Sequence, residues 1–279
     1  MDHSGRTAFC VPILAYHLVT DRPDLGFARV SKAQFRRQMQ WLADAGFHSV
    51  RVRDLLGGAS NPPERWVILT FDDAYSCIED AAEVMQQYGF VGTCFVISNF
   101  MGKANTWDYR FGIRNWKHAD TALLHHLLQA GWEIGSHTAN HSYLPSLDDH
   151  ALKRELIESR RALQREFQIQ VDSISYPFGR TNQRVCKLAH SAGYRIGVSL
   201  GLAPKISDAC GIMALPRIGV YSFEPLSVFA MKLNRFYRQT RWILAYQRMI
   251  SFFSNGTIIW KKLGSYGREK NQKTVLFNQ

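Results

Sequence analysis

The chain has 279 residues, 46% of them hydrophobic and 13% aromatic. That is ample for a buried core in one large domain or two small ones, and it excludes a disordered or low-complexity protein. The formal net charge is +11, but residues 231–279 hold ten Lys/Arg against one acid, so the basic character belongs to a tail and the first 230 residues are nearly neutral.

The five scattered cysteines, Cys10, Cys77, Cys94, Cys186 and Cys210, lack the paired spacing of a zinc site or a disulfide framework. The first residues lack the charged region, apolar run and cleavage site of a secretory signal. No apolar stretch approaches the roughly 20 residues of a membrane span. A cytoplasmic protein is expected, peripheral at the inner face of the membrane if the basic tail docks there.

In chain order, short β-branched or aromatic runs alternate with helical stretches. Strands are expected at residues 11–16, 47–52, 66–71, 92–97, 132–136, 173–176, 194–198 and 213–220. Ser31 can cap a helix that stops at Gly46, and further helices are expected at 80–88, 121–130, 147–167 and 182–192. Gly89, Gly131 and Gly193 follow three of these and supply the left-handed residue that closes a helix. Such alternation implies parallel strands joined by right-handed crossovers. About eight strands in roughly 220 residues favour a (β/α) barrel over an open sheet.

Residues 101–117 fit neither pattern and read as a loop insertion at the barrel mouth, with Trp107, Tyr109 and Trp116. From 224 to 253, apolar positions such as Leu226, Phe229 and Leu233 alternate with Arg and Lys. That segment reads either as a basic amphipathic helix on anionic lipid or as a helix packed on the barrel with a solvated basic face. Nucleic acid is not an expected partner, because no recognition motif accompanies the charge. The expected division is a barrel over residues 1–222 and a basic extension over 223–279.

In a parallel barrel the chemistry gathers at the C-terminal ends of strands. The buried run at 67–71 ends in Asp72-Asp73, two carboxylates that are costly beside an apolar strand without a cation or donors. Taken alone, the dipeptide also reads as a helix cap. After the 132–136 strand come His137 and His141, which face the same way if their segment makes a helical turn. Such pairs also arise on surfaces by chance. Together, two imidazoles and one carboxylate form a three-ligand site with open positions, leaving the second aspartate free to act as a base. Ser175-Tyr176-Pro177-Phe178-Gly179 reads either as an ordinary strand-ending turn or as one whose amide after the proline, that of Phe178, donates into the site; His17 ends an apolar strand, where a lone histidine is either structural or an acid–base group.

Thr70-Phe71-Asp72-Asp73 and His137-Thr138-x-x-His141 resemble the T-F-D-D and H-[ST]-x-x-H motifs of the NodB-homology polysaccharide deacetylases. Tyr176-Pro177-Phe178-Gly179 and Leu215-Pro216-Arg217-Ile218 extend the likeness, which covers residues 12–220 in order. The resemblance implies a distorted (β/α)7 barrel. It implies that Asp73, His137 and His141 hold Zn²⁺ or another divalent transition metal, with Asp72 as general base and the Phe178 N–H as an oxyanion donor. Many members carry an Arg where Ser175 stands, so Arg217 is the candidate to orient the base from another strand. Many also take their acid from a late L-x-H motif, but Gly219-Val220 stand there. The poly-N-acetylglucosamine deacetylase subgroup has an early strand ending in Tyr-His, which nominates His17 as the acid.

The implied activity is removal of an N-acetyl group from an amino sugar in a polysaccharide or lipid-linked glycan. Hydrolysis of a non-sugar amide or cyclic ureide, or glycan binding without catalysis, are the competing readings. Tyr176, Trp107 and Asp108 are the candidate sugar contacts, with Trp116 beside them, since aromatic faces stack on pyranose rings; core packing is the alternative.

Overall fold

The computed structural model describes residues 11–22, 28–57, 65–106, 116–200 and 210–233. In chain order these form β1 (Ile13–Tyr16), β2 (Leu18–Val19), β3 (Arg29–Val30), α1 (Lys32–Asp44), β4 (His48–Val50) and β5 (Trp66–Phe71). Then come α2 (Ile78–Gln86), β6 (Thr93–Val96), α3 (Thr121–Gln129), β7 (Glu133–Ser136), α4 (Asp149–Phe167) and β8 (Ser173–Ser175). The remainder is α5 (Gln183–Ser191), β9 (Ile196–Leu200), β10 (Leu215–Gly219) and α6 (Leu226–Leu233).

Seven parallel strands close in the order β1-β10-β9-β8-β7-β6-β5, with β5 returning to β1. β4 adds an eighth strand, paired to the start of β5. The expected strands are all present: β5 keeps its expected bounds, β9 starts and ends two residues later than expected, and the others are shortened by a residue or two where the ladder gives way to loop. The two-residue β2/β3 pair was not foreseen; elements that short carry no readable period.

Helix starts follow local chemistry. Ser31 Oγ accepts from Gln34 N (3.1 Å), Asp120 from Leu123 N (3.0 Å), Asp148 from Ala151 N (2.8 Å) and Asn182 from Val185 N (2.9 Å). Each satisfies an amide that the first helical turn leaves open, an effect of about 1 kcal/mol. Gly46, at φ 71°, closes the turn after α1 as expected. The long α4 instead ends at Gln168 in the left-handed region, a stop its residue type does not announce.

The pleat divides the core. Ile13, Ile68, Phe95, Ile196, Val198 and Leu215 fill the barrel interior, while the alternate positions, such as Leu14, Leu69 and Phe71, pack outward beneath the helices. On β5 this alternation places Ile68, Thr70 and Asp72 in one inward column. On β10 it places Leu215 and Arg217 likewise.

The start of the C-terminal extension is part of this shell. Phe229 of α6 is buried and meets Trp41 of α1 edge-on at 6.0 Å. Lys232, counted with the basic tail by charge, is buried too: its amine donates to Gly219 O (2.7 Å) and pairs with Glu224. The solvated basic face expected of this helix is thus not found at Lys232. The rest of the expected amphipathic segment, residues 234–253, lies outside the described residues, as do Trp107 and Asp108. Among the described residues no helix is long and apolar enough to cross a membrane.

Candidate metal centre and its acid–base groups

The register of β1 on β5 pairs Tyr16 with Phe71, so His17 and Asp72 are the next residues out, at the same C-terminal rim. Asp72 N donates to Tyr16 O (3.0 Å), which continues the pairing one step. The chain then turns sharply. Asp73 and Ala74 both take positive φ, 68° and 49°, a conformation that costs a non-glycine residue on the order of 1–2 kcal/mol and needs outside support. The consequence is that two sequential carboxylates are handed to different partners.

Asp72 belongs to Arg217. Arg217 Nη1 donates to Asp72 Oδ1 (2.8 Å) and Nη2 to Asp72 Oδ2 (2.6 Å), a two-pronged pair, while the same nitrogens donate to Thr70 Oγ1 (2.9 Å) and Ser175 Oγ (2.8 Å). The guanidinium also lies 5.7 Å from the Phe95 ring centre. Reaching across the interior from β10, it meets β5, β6 and β8 at once. Burial alone would push the Asp72 carboxyl up; the Arg217 charge, the nearby His137, the Arg217 hydrogen bonds and His17 outweigh it and hold the carboxyl well below the usual range. His17 Nε2 stands 3.9 Å from Asp72 Oδ2, and His17 is partly open to solvent.

Asp73 belongs to the histidines. His137 Nε2 and His141 Nε2 lie 3.4 and 3.5 Å from Asp73 Oδ1, and the three candidate ligand atoms fall within 4.8 Å of one another. His137 Nδ1–H donates to Ser175 O (2.8 Å), which fixes the tautomer and turns the Nε2 lone pair toward Asp73. Burial lowers the His137 pKa and favours the neutral, ligating form, against the pull of Asp72. A buried carboxylate and two oriented imidazoles suit a divalent transition metal.

The two imidazoles do not converge through a helical turn, as the four-residue spacing had suggested. Thr138 and His141 sit at φ 68° and 56°, so the segment is an irregular loop. It is held by Glu155 on α4, whose Oε2 accepts from Ala139 N (3.1 Å) and Asn140 N (2.9 Å) and whose Oε1 accepts from Asn140 Nδ2 (2.8 Å) and Ser142 Oγ (2.9 Å). Sequence reasoning missed Glu155, because in an Arg/Glu-rich helix an acid reads as a surface pairing group.

Phe178 also has positive φ (59°), and its ring meets His141 edge-on at 4.6 Å. Gly179 follows at φ 62°, where a Cβ would come within 2.4 Å of Leu200 Cβ, so the turn demands glycine. Tyr176 is not brought to the site: it is fully buried and its hydroxyl donates to Met213 O (2.8 Å), because the pleat turns it outward under α5. Trp116 is likewise packed, against Leu18 and Tyr75, which favours the core alternative for it.

The sequence profile described as Polysaccharide deacetylase matches residues 59–197. The protein YxkH of Bacillus subtilis (strain 168), provisionally named a polysaccharide deacetylase, is 31% identical over 214 residues, 75% of this chain and 71% of that protein. A poly-beta-1,6-N-acetyl-D-glucosamine N-deacetylase of Staphylococcus aureus (strain MSSA476) is 27% identical over 183 residues, so the chain spans 61% of that relative's length. The solved structure of the Streptococcus pyogenes deacetylase PplD in complex with acetate has the same fold, with a TM-score of 0.69 at 22% identity, covering 80% of this chain and 98% of that one.

Proposed function

Because this chain belongs to the polysaccharide deacetylase family, we propose that it hydrolyses the N-acetyl amide of an amino sugar in a polysaccharide or lipid-linked glycan. The observation that carries this reading is the division of labour at the end of β5: Asp73 with two imidazoles on one side, and Asp72 locked to Arg217 on the other. The name of the Staphylococcus aureus relative supports an N-acetylglucosamine polymer as the substrate class.

Asp73, His137 and His141 would hold Zn²⁺ or another divalent transition metal, which when bound supplies Lewis-acid activation of water and of the acyl carbonyl. Asp72 accepts the proton of the attacking water. Arg217 keeps it ionised and aimed; a carboxylate held this low is a weak base, so its value lies in position and in permanent charge. The Phe178 N–H donates to the oxyanion as the carbonyl carbon becomes tetrahedral. His17 donates a proton to the departing amine, without which the C–N bond does not break readily. Acetate and a free amino sugar leave.

The test is acetate release from chito-oligosaccharides and from poly-β-1,6-N-acetylglucosamine, set against small amides and cyclic ureides. Turnover of the sugar substrates that is lost in Asp72→Asn supports the reading. Turnover of the small amides alone sinks it.

The basic C-terminal region carries a second proposal, contact with an anionic membrane at its inner face. It rests on charge, nine Lys/Arg against one acid over residues 234–279. Because α6 is part of the barrel shell, the informative truncation ends the chain after Leu233. The full chain should sediment with anionic vesicles and the truncated chain should not; equal sedimentation of both contradicts the proposal.

A further inference from the structure

His118 stands outside every motif above, yet it touches the metal centre's backbone. Its Nδ1 lies 2.6 Å from Asp73 O. A carbonyl oxygen can only accept, so the ring proton sits on Nδ1 and points at the turn that carries the ligand carboxylate. The ring is 2% exposed, stacked on Tyr75 at 4.9 Å and 19°, and tilted against Phe100 at 5.6 Å. Tyr75 in turn accepts from Asn105 Nδ2 (2.8 Å).

The backbone on either side repeats the grip. Ala119 N donates to Ala74 O (2.7 Å), Ser76 N donates to Lys117 O (2.8 Å), and Tyr75 and His118 form an antiparallel bridge. Three hydrogen bonds therefore clamp residues 73–76 from outside. Those four residues include the two left-handed positions, Asp73 and Ala74, that local preference disfavours. The clamp is the outside support such a turn needs.

We propose that His118 is a positioning residue for Asp73: its Nδ1–H fixes the peptide after the ligand aspartate and so sets where that carboxylate stands relative to His137 and His141. This rests on the reading of Asp73 as a metal ligand. It also gives residues 117–119 a role, since they hold the turn that carries Asp73. A partner one step removed from a ligand is worth on the order of tenfold to a hundredfold in metal affinity.

The test uses Co²⁺ as the probe, read by chelator competition and by visible absorption, in the full chain and three variants. His118→Phe keeps an aromatic ring between Tyr75 and Phe100 but removes the donor. His118→Asn removes the ring but returns an N–H close to the position of Nδ1. Asp73→Asn reports on the underlying ligand assignment. The expected result is Co²⁺ affinity at least about tenfold weaker and altered absorption bands in His118→Phe, substantial recovery of both in His118→Asn, and loss of binding in Asp73→Asn. Should His118→Phe prove too unstable to purify, His118→Gln, whose N–H reaches the position of Nε2 and not that of Nδ1, takes its place with the same expected loss. Parent-like affinity and bands in His118→Phe, or no recovery in His118→Asn, overturn the positioning role while leaving the ligand assignment intact. Undiminished binding in Asp73→Asn overturns both.

Discussion

Two carboxylates are buried at opposite ends of the same barrel, Asp72 at the C-terminal rim and Glu133 at the first residue of β7 on the floor. Glu133 accepts from Ser173 Oγ (2.6 Å), Thr93 Oγ1 (2.9 Å) and Arg53 N (3.0 Å). Its hydrogen-bond donors are neutral, the Arg53 charge opposes burial only weakly, and burial wins: its pKa is raised. Asp72 faces a guanidinium at two points, and the cation wins: its pKa is lowered. Burial is equal, so the difference lies in who the partner is. The floor is built from groups that tolerate protonation, whereas the rim is built to keep a charge.

Stability should therefore respond to pH with opposite signs at the two ends. Folding favours ionised Asp72, so its contribution is present above the unfolded value of about 4 and is lost as pH falls through the lower folded value. Folding favours protonated Glu133, so its contribution is present below about 4.3 and is lost as pH rises through its higher folded value.

Asp72→Asn should sharpen the contrast most in function, lowering the rate of acetate release by roughly 10²–10⁴-fold with the bound metal retained. A variant that keeps parent activity would remove Asp72 from the chemistry. Arg217→Met leaves Asp72 buried without its cation and should cost about 3–5 kcal/mol in urea unfolding at pH 7. That deficit should shrink in acid, as the stranded carboxyl takes up a proton; a deficit independent of pH would mean the pair matters only through packing. Glu155→Ala strands the amides of Ala139 and Asn140 and should cost about 1–3 kcal/mol, with weaker metal binding because the His137–His141 loop loosens. The smallest effect belongs to the floor. Glu133→Gln keeps one oxygen for Arg53 N and Thr93 and offers an N–H₂ to Ser173, so its unfolding free energy should stay within about 1 kcal/mol of the parent. A loss as large as that of Arg217→Met would erase the distinction between the two ends.

Much of this was legible in the sequence where the information is local. The buried run ending in Asp72-Asp73, the Ser31 cap and the helix-closing glycines each follow from a few adjacent residues, and the parallel pairing follows from the alternation of strands and helices. What escaped depends on distance or on backbone shape. The His137–His141 spacing suggested a helical turn, whereas the loop is held irregular by Glu155 from another element. His118 acts 45 residues away from Asp73, and nothing in its neighbours announces that. Arg217 did carry a signal: in L-P-R-I-G the pleat puts it on the same inward face as Leu215, and a charge facing a core needs a buried partner. Tyr176 carried the opposite signal, since the same alternation turns it away from the interior.

Asp73, His137 and His141 are proposed to form one ion site beside an acid kept for the chemistry. Elemental analysis of the purified full chain, set beside Asp73→Asn, addresses it directly. Close to one divalent transition metal per parent chain and almost none in the variant is the expected result; a parent chain without metal under metal-replete conditions, or a variant that binds it as tightly, overturns the shared site.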